Sequence, residues 1–323
     1  MAPKVVVTRV LPPEAQALLQ SQNYDLVQWQ QDCVMPRQEL LKQVAGADAL
    51  ICLLTDRIDN ELLDAAGPQL KVIATMSVGY DHIDVEAVRS RNILLGYTPD
   101  VLTDATADLT VLLTLAAARR LKEGMLAVSN GEWGARRPTW LCGSQFTNKT
   151  LGIVGMGRIG EAVAHRLQPF GISRTLYWGR SEKPEVKQRL PNAEFTASLD
   201  TLLTESDFVV VCCALTQQTE GLFDYAKFSK MKTTAIFVNT ARGGIVQQDD
   251  LTRALQDGLV GAAGLDVTTP EPLPPSDPLY KLPNCVILPH IASATIETRE
   301  RMASMCVQNV IAGLKGHTLP YGL

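Results

Sequence analysis

Three stretches of the chain carry side chains suited to holding a carboxylate and moving a proton. They are Val238-Asn-Thr-Ala-Arg242-Gly-Gly, Gly264-Leu-Asp266-Val-Thr-Thr-Pro-Glu271-Pro and Leu288-Pro-His290-Ile-Ala-Ser293. Each follows a strand-like apolar run, and in an open α/β sheet the carboxyl ends of strands line the ligand crevice. A guanidinium offers a planar anion a fixed fork of donors. An imidazole can give and retake a proton near neutrality, and a carboxylate on its other nitrogen holds the ring and favours its charged form. Taken singly, Arg242 fits a surface cation, Glu271 a loop carboxylate and His290 a capping or packed imidazole; their common position after strands is what suggests convergence. Asp266 fits either support of Arg242 or Glu271 or a strand-end cap.

A second signal is Leu151-Gly-Ile-Val-Gly155-Met-Gly157-Arg158-Ile159-Gly160, an apolar strand running into glycines that open a helix. Gly155 permits the tight turn, Gly157 lets backbone approach a pyrophosphate and Gly160 lets helix and strand pack closely. Arg158 is placed to touch a phosphate or to stand exposed. The acidic residue expected after the next strand, to hold a ribose 2'-hydroxyl, is missing from Leu176-Tyr-Trp-Gly179-Arg180-Ser181. A guanidinium and a hydroxyl after a glycine suit a 2'-phosphate instead, so NADP(H) is expected rather than NAD(H).

These residues need a scaffold, and the chain alternates short Val/Ile/Leu runs with helix-like segments. Val5–Thr8, Ala49–Leu54 and Val72–Met76 alternate with 13–22, 60–66 and 85–91. A second series starts at Leu151–Gly155 and continues through 175–178, 208–213, 235–239, 261–266 and 286–289. Two α/β units with parallel sheets are expected. Between them lie a helix-like stretch at 102–120, whose apolar run 109–118 reads as a buried helix, and a segment rich in Gly, Trp and Pro that reads as irregular. A last helix is expected over 296–313, with its destination left open by composition.

The 323 residues suffice for about two domains. A net charge of -4 gives no global positive field for nucleic acid, and no apolar run approaches the roughly 20 residues of a membrane span. The strand-like Val5–Val7 leaves no room for a secretory core and the chain ends in Tyr321-Gly322-Leu323, so a cytoplasmic address is expected. Seven cysteines without a Cys-x-x-Cys pair read as reduced, mostly buried thiols. The scattered His82, His165 and His317 have no metal-ligand spacing, and no metal is expected. His82 reads as a loop residue.

The glycine fingerprint, the Asn-x-x-Arg-Gly stretch, the Gly-Leu-Asp-Val-x-x-x-Glu-Pro stretch and Pro-His-Ile occur in that order. With Met76-Ser-Val78-Gly79-Tyr-Asp81-His82 and Gly96-Tyr-Thr-Pro-Asp100, they make the chain resemble the D-isomer-specific 2-hydroxyacid dehydrogenases along nearly its whole length. The resemblance implies two doubly wound parallel-sheet domains. One is a flavodoxin-like, discontinuous substrate domain, 1–101 plus 294–323; the other is a Rossmann cofactor domain, 102–293, with a dimerisation segment near 121–148. It implies catalysis by Arg242, Glu271 and His290. Substrate contacts are implied at Leu53, Val78, Gly79, Arg242, Ser293 and Trp140; Leu53 has a core position and Trp140 a buried structural role as the alternative. Thr106, Ala214, Thr240 and Ser293 are placed near the cofactor by motif position, and Asp266 is counted with the cofactor-binding residues. The Trp140-Leu-Cys-Gly and Gly179-Arg180 features point to those members that reduce glyoxylate and hydroxypyruvate with NADPH, acting as homodimers on small 2-oxo and 2-hydroxy acids. Another D-2-hydroxyacid dehydrogenase and a dinucleotide-sensing, corepressor-like binding protein are the alternatives.

Overall fold

Strands covered by helices on both faces need continuous apolar runs rather than alternating ones, and the central strands of this chain have them. The computed structural model describes residues 1–31 and 33–323 and divides into two units, Met1–Leu102 with Ser293–Leu323, and Thr103–Ala292.

The first unit runs β1 (Lys4–Val7), α1 (Pro13–Gln20), β2 (Asp25–Gln28), α2 (Arg37–Val44), β3 (Ala49–Cys52), α3 (Asn60–Ala66), β4 (Val72–Thr75), α4 (Val85–Ser90) and β5 (Leu94–Gly96). All neighbours pair in parallel in the order β2-β1-β3-β4-β5, the doubly wound order of flavodoxin-like sheets. On one face Val6, Leu50, Cys52 and Ile73 meet Leu40, Leu62, Leu63 and Val88 from α2, α3 and α4. On the other, Val5, Val7, Ile51 and Val72 meet Ala15 and Leu19 of α1 and Met302, Cys306 and Val310 of the last helix. Asp59 and Asp84 start α3 and α4 by accepting the N–H groups of Leu62 and Ala87.

The second unit begins with α5 (Thr103–Ala118) and α6 (Leu121–Ser129). It continues through β6 (Thr150–Val154), α7 (Arg158–Leu167), β7 (Arg174–Trp178), α8 (Pro184–Arg189), β8 (Ala193–Phe195), α9 (Leu199–Glu205), β9 (Phe208–Val211), α10 (Tyr225–Phe228), β10 (Ile236–Asn239), α11 (Gln248–Gln256), β11 (Ala262–Leu265) and β12 (Cys285–Ile287). Its parallel sheet has the order β12-β11-β10-β9-β6-β7-β8, so the winding reverses between β6 and β9, where a Rossmann sheet opens its crevice. The chain then closes with α12 (Ile296–Leu314), started by the Thr295 hydroxyl accepting the Thr298 N–H.

Two readings need correction. The segment after residue 120 is not irregular throughout, because it contains α6, set off from α5 by Arg120 in the left-handed region at φ 54°. The 109–118 helix is buried on one side only, and Leu112 is half exposed. Of the cysteines, Cys52, Cys285 and Cys306 are buried and Cys212 and Cys213 partly so, whereas Cys33 and Cys142 are exposed; all seven thiols are free.

Candidate active site

The glycine loop after β6 lies against the end of β7, because the Gly155 N–H donates to the Trp178 carbonyl at 2.9 Å. Gly155 has φ +100°, and a Cβ on it would stand 2.6 Å from the Cys213 nitrogen. A Cβ at Gly160 would stand 2.4 Å from the Gly155 carbonyl oxygen and 2.9 Å from Ile153 Cγ2, so helix and strand meet without room for a side chain. At Gly157, the N-cap of α7, a Cβ would meet nothing within 4 Å, and no side chain caps the helix. A tight turn, open space and a helix N-terminus without a side-chain cap together fit a dinucleotide pyrophosphate.

Arg158 is exposed at the start of α7 and Ile159 is half-buried. Gly179, Arg180 and Ser181 follow β7 directly, the latter two exposed. Their loop is fixed by the Lys183 N–H donating to the Tyr177 hydroxyl at 3.0 Å. Ala214 lies beyond β9, its carbonyl accepting from the Thr219 hydroxyl at 2.7 Å. Thr106 and Thr240 are buried, and Thr240 shares a 2.8 Å hydrogen bond with Thr110 of α5.

The charged group is built from the ends of β10, β11 and β12. Asn239, the last residue of β10, accepts the Ala241 N–H at 3.0 Å and donates its amide to the Arg242 carbonyl at 2.9 Å. That Asx turn shapes the loop carrying the Arg242 guanidinium. At Gly243 an added Cβ would lie 2.0 Å from the Thr268 carbonyl oxygen, so only glycine lets this loop touch the one that carries Glu271. Glu271 accepts the Thr268 N–H on Oε1 at 3.1 Å and meets His290 Nδ1 with Oε2 at 2.7 Å.

His290 has φ +53°, a region non-glycine residues seldom adopt. Asp266 holds it there. Its carbonyl accepts the His290 N–H, and its two carboxylate oxygens accept the N–H groups of Ile291 and Ala292, all at 2.8 Å. Expected beside the cofactor, Asp266 is 1% exposed, with both oxygens engaged by backbone.

Burial of Glu271 opposes its ionisation, but the His290 hydrogen bond and charge, the Thr268 N–H and the Arg242 charge outweigh it, holding the carboxyl below its ordinary value. Burial moves Asp266 the other way, above its ordinary value, against the pull of the Ile291 and Ala292 N–H groups. An ionised Glu271 requires Nδ1 of His290 to be the donor, which leaves Nε2 as the nitrogen that can exchange a proton. The His290 and Glu271 side chains are 24% and 32% exposed, open enough for a ligand to reach them.

In the first unit Leu53 and the Val78-Gly79 turn follow β3 and β4, which pair through Cys52 and Thr75. The Leu53 N–H donates to Asp56 Oδ2 at 2.9 Å, and the Thr8 hydroxyl donates to the same oxygen at 2.5 Å. Val78 and Gly79 are half-buried, and the Gly79 carbonyl accepts from the Ser77 hydroxyl at 2.7 Å. Ser293 is half-buried where the chain re-enters this unit. Trp140, in the second unit, is covered by the Arg137 guanidinium at 4.1 Å from its ring centre.

Sequence reasoning gave no role to Asn239, Asp56 or the hydroxyls of Thr75 and Ser77. A polar residue ending an apolar strand was the available signal at Asn239 and Thr75. Among the described residues no group of three or more His, Cys, Asp or Glu is placed to hold a metal, and no helix is long and apolar enough to cross a membrane.

Residues 111–292 match the model of the D-isomer specific 2-hydroxyacid dehydrogenase NAD binding domain. The chain belongs to the D-isomer specific 2-hydroxyacid dehydrogenase family. This dehydrogenase is 51% identical over 318 residues, 98% of its own length and 96% of the other's, to the glyoxylate reductase/hydroxypyruvate reductase of Homo sapiens. Its structure is similar to that of a Thermus thermophilus protein with a TM-score of 0.92 at 48% identity, covering 99% of each chain. It is also similar to an NADPH-dependent glyoxylate/hydroxypyruvate reductase from Sinorhizobium meliloti in complex with NADP and malonate, with a TM-score of 0.85 at 27% identity over 100% of this chain and 97% of that one.

Proposed function

We propose that this dehydrogenase reduces small 2-oxo acids, glyoxylate to glycolate and hydroxypyruvate to D-glycerate, with NADPH and with His290 as proton donor. The observation that carries the reading is the 2.7 Å hydrogen bond between His290 Nδ1 and Glu271 in a chain of this family. The names of the human and Sinorhizobium meliloti relatives support the substrate pair.

The cofactor, when bound, supplies a hydride to the carbonyl carbon. Gly155, Gly157, Arg158, Ile159 and Gly160 would hold its pyrophosphate at the start of α7. Arg180 and Ser181 would meet the 2'-phosphate. No carboxylate stands at 179–181 to repel that group, and one charge-assisted hydrogen bond is worth about 1.5–3 kcal/mol. Thr106, Ala214 and Thr240 would line the rest of that cleft.

Arg242 orients the substrate through its carboxylate or polarises its ketone. His290, charged and held by Glu271, gives its Nε2 proton to the oxygen as negative charge develops there, and takes a proton back in the oxidative direction. Asp266 acts through the backbone, fixing where Nε2 points. The first unit would supply the carboxylate-binding turn Val78-Gly79, with Leu53 at its side; Ser293 and Trp140 are the remaining substrate contacts of the proposal. The first unit, Met1–Leu102 with Ser293–Leu323, would thus be the substrate domain and Thr103–Ala292 the cofactor domain.

A homodimer through the 121–148 segment is supported by α6, which exposes Leu121, Met125, Leu126 and Val128 together. Seven free thiols support a reducing, cytoplasmic setting. The testing experiment follows cofactor absorbance for the purified protein with glyoxylate, hydroxypyruvate and pyruvate, each with NADPH and NADH. Fast NADPH oxidation with the first two is expected. Preference for NADH would overturn the reading of Arg180, and no turnover with any pair would overturn the substrate class.

A further inference from the structure

Beneath the Val78-Gly79 turn runs a chain of three side-chain hydrogen bonds. His82 Nε2 lies 3.0 Å from Thr75 Oγ1, Thr75 Oγ1 lies 2.8 Å from Ser77 Oγ, and Ser77 Oγ donates to the Gly79 carbonyl at 2.7 Å. Chemistry fixes its direction. A carbonyl only accepts, so the single Ser77 hydroxyl proton points to Gly79. Ser77 must then accept from Thr75, and Thr75, its proton committed, must accept from Nε2–H of His82.

Thr75 and Ser77 are 0% and 3% exposed, so water does not substitute for a missing link. Both ends are anchored to backbone. The His82 carbonyl accepts the Ile58 N–H at 2.9 Å and the Ser77 carbonyl accepts the Thr98 N–H at 3.0 Å. A turn whose working groups are backbone N–H donors has no side chain of its own to fix its direction, and a single carbonyl gripped from below is an economical way to do it. Hydrogen bonds in such a chain also polarise one another.

We propose that His82, through Thr75 and Ser77, is a positioning residue that locks the Val78-Gly79 turn for binding the carboxylate of a 2-oxo acid. The proposal rests on the reading of that turn as the carboxylate site. Gln in place of His82 can put an amide N–H where Nε2–H stands, whereas Leu cannot.

The test compares wild type with Thr75→Val, Ser77→Ala, His82→Leu, His82→Gln and the double variant Ser77→Ala/His82→Leu. It reads KM for glyoxylate and for NADPH, kcat, and amide hydrogen exchange across 77–80 without ligand. Loss of a link should raise the glyoxylate KM about tenfold, leave the NADPH KM within about twofold, and speed exchange at 77–80. His82→Gln should restore both values, and the double variant should be no worse than Ser77→Ala, since the chain fails as a unit. Unchanged exchange in Thr75→Val and His82→Leu would overturn the positioning role. Faster exchange with an unmoved glyoxylate KM would instead overturn the carboxylate role of the turn, and the proposal's functional half with it.

Discussion

The loops after β10, β11 and β12 hold charged side chains in place by anchoring the backbone around them, while those after β3 and β4 use buried side chains to hold backbone in place. In the first set Asp266 grips three consecutive N–H groups so that the His290 ring meets Glu271 at 2.7 Å. In the second, Asp56 grips the Leu53 N–H, and Ser77 grips the Gly79 carbonyl. Both sets sit on parallel doubly wound sheets. The difference follows from the chemistry proposed for each set. Proton transfer needs a titratable side chain at one point, whereas a carboxylate can be met by neutral N–H donors, which need only be aimed. Variants of the first set should therefore change kcat and those of the second KM.

The sharpest break with that division would come from Arg242, whose charge is proposed to serve both roles. Arg242→Ala should lower kcat/KM for glyoxylate on the order of 10²-fold or more, as expected when one member of a charge-assisted pair is removed; steady-state kinetics would check it. Next comes the paired comparison of Asp266→Asn and Asp56→Asn. An amide at 266 turns N–H toward a backbone N–H, so kcat should fall roughly tenfold or more with the glyoxylate KM little changed, and Asp56→Asn should do the reverse. Equal effects of the two on KM would erase the distinction.

Arg180→Ala should weaken NADPH binding by roughly tenfold to 150-fold and leave NADH binding unchanged, measured by fluorescence titration. The smallest effect concerns pH. Folding lowers the Glu271 carboxyl below its ordinary value of 4.5, so its ionised form favours the folded state. That contribution is full above 4.5 and lost as pH falls through the lower folded value. Urea midpoints of wild type and Glu271→Gln should thus differ at pH 5 and converge in more acid solution.

Much of this was legible because buried parallel strands leave long apolar runs: β1, β3, β4, β6, β9 and β10 are bounded closely by their composition. The edge strands β2, β5 and β8 escaped, since Asp25-Leu-Val-Gln28, Leu94-Leu-Gly96 and Ala193-Glu-Phe195 are short and face solvent in part. Helix α6 escaped for the opposite reason: its apolar residues are exposed, and an inward-facing stripe is what periodicity detects.

At the site, Arg242, Glu271 and His290 were legible as types after strands. Asp266 was legible as a residue but not in its part, because gripping N–H groups 25 and 26 positions away leaves no local pattern. The chain from His82 to Gly79 was hidden for a related reason: Thr and Ser at a strand end read as ordinary turn residues.

The most direct test of the account is His290→Gln, read in one preparation for NADPH affinity and for single-turnover NADPH oxidation by glyoxylate. The account predicts unchanged NADPH affinity with oxidation slowed by about 10²–10⁴-fold. Oxidation at the wild-type rate would show that the proton comes from elsewhere and would contradict it.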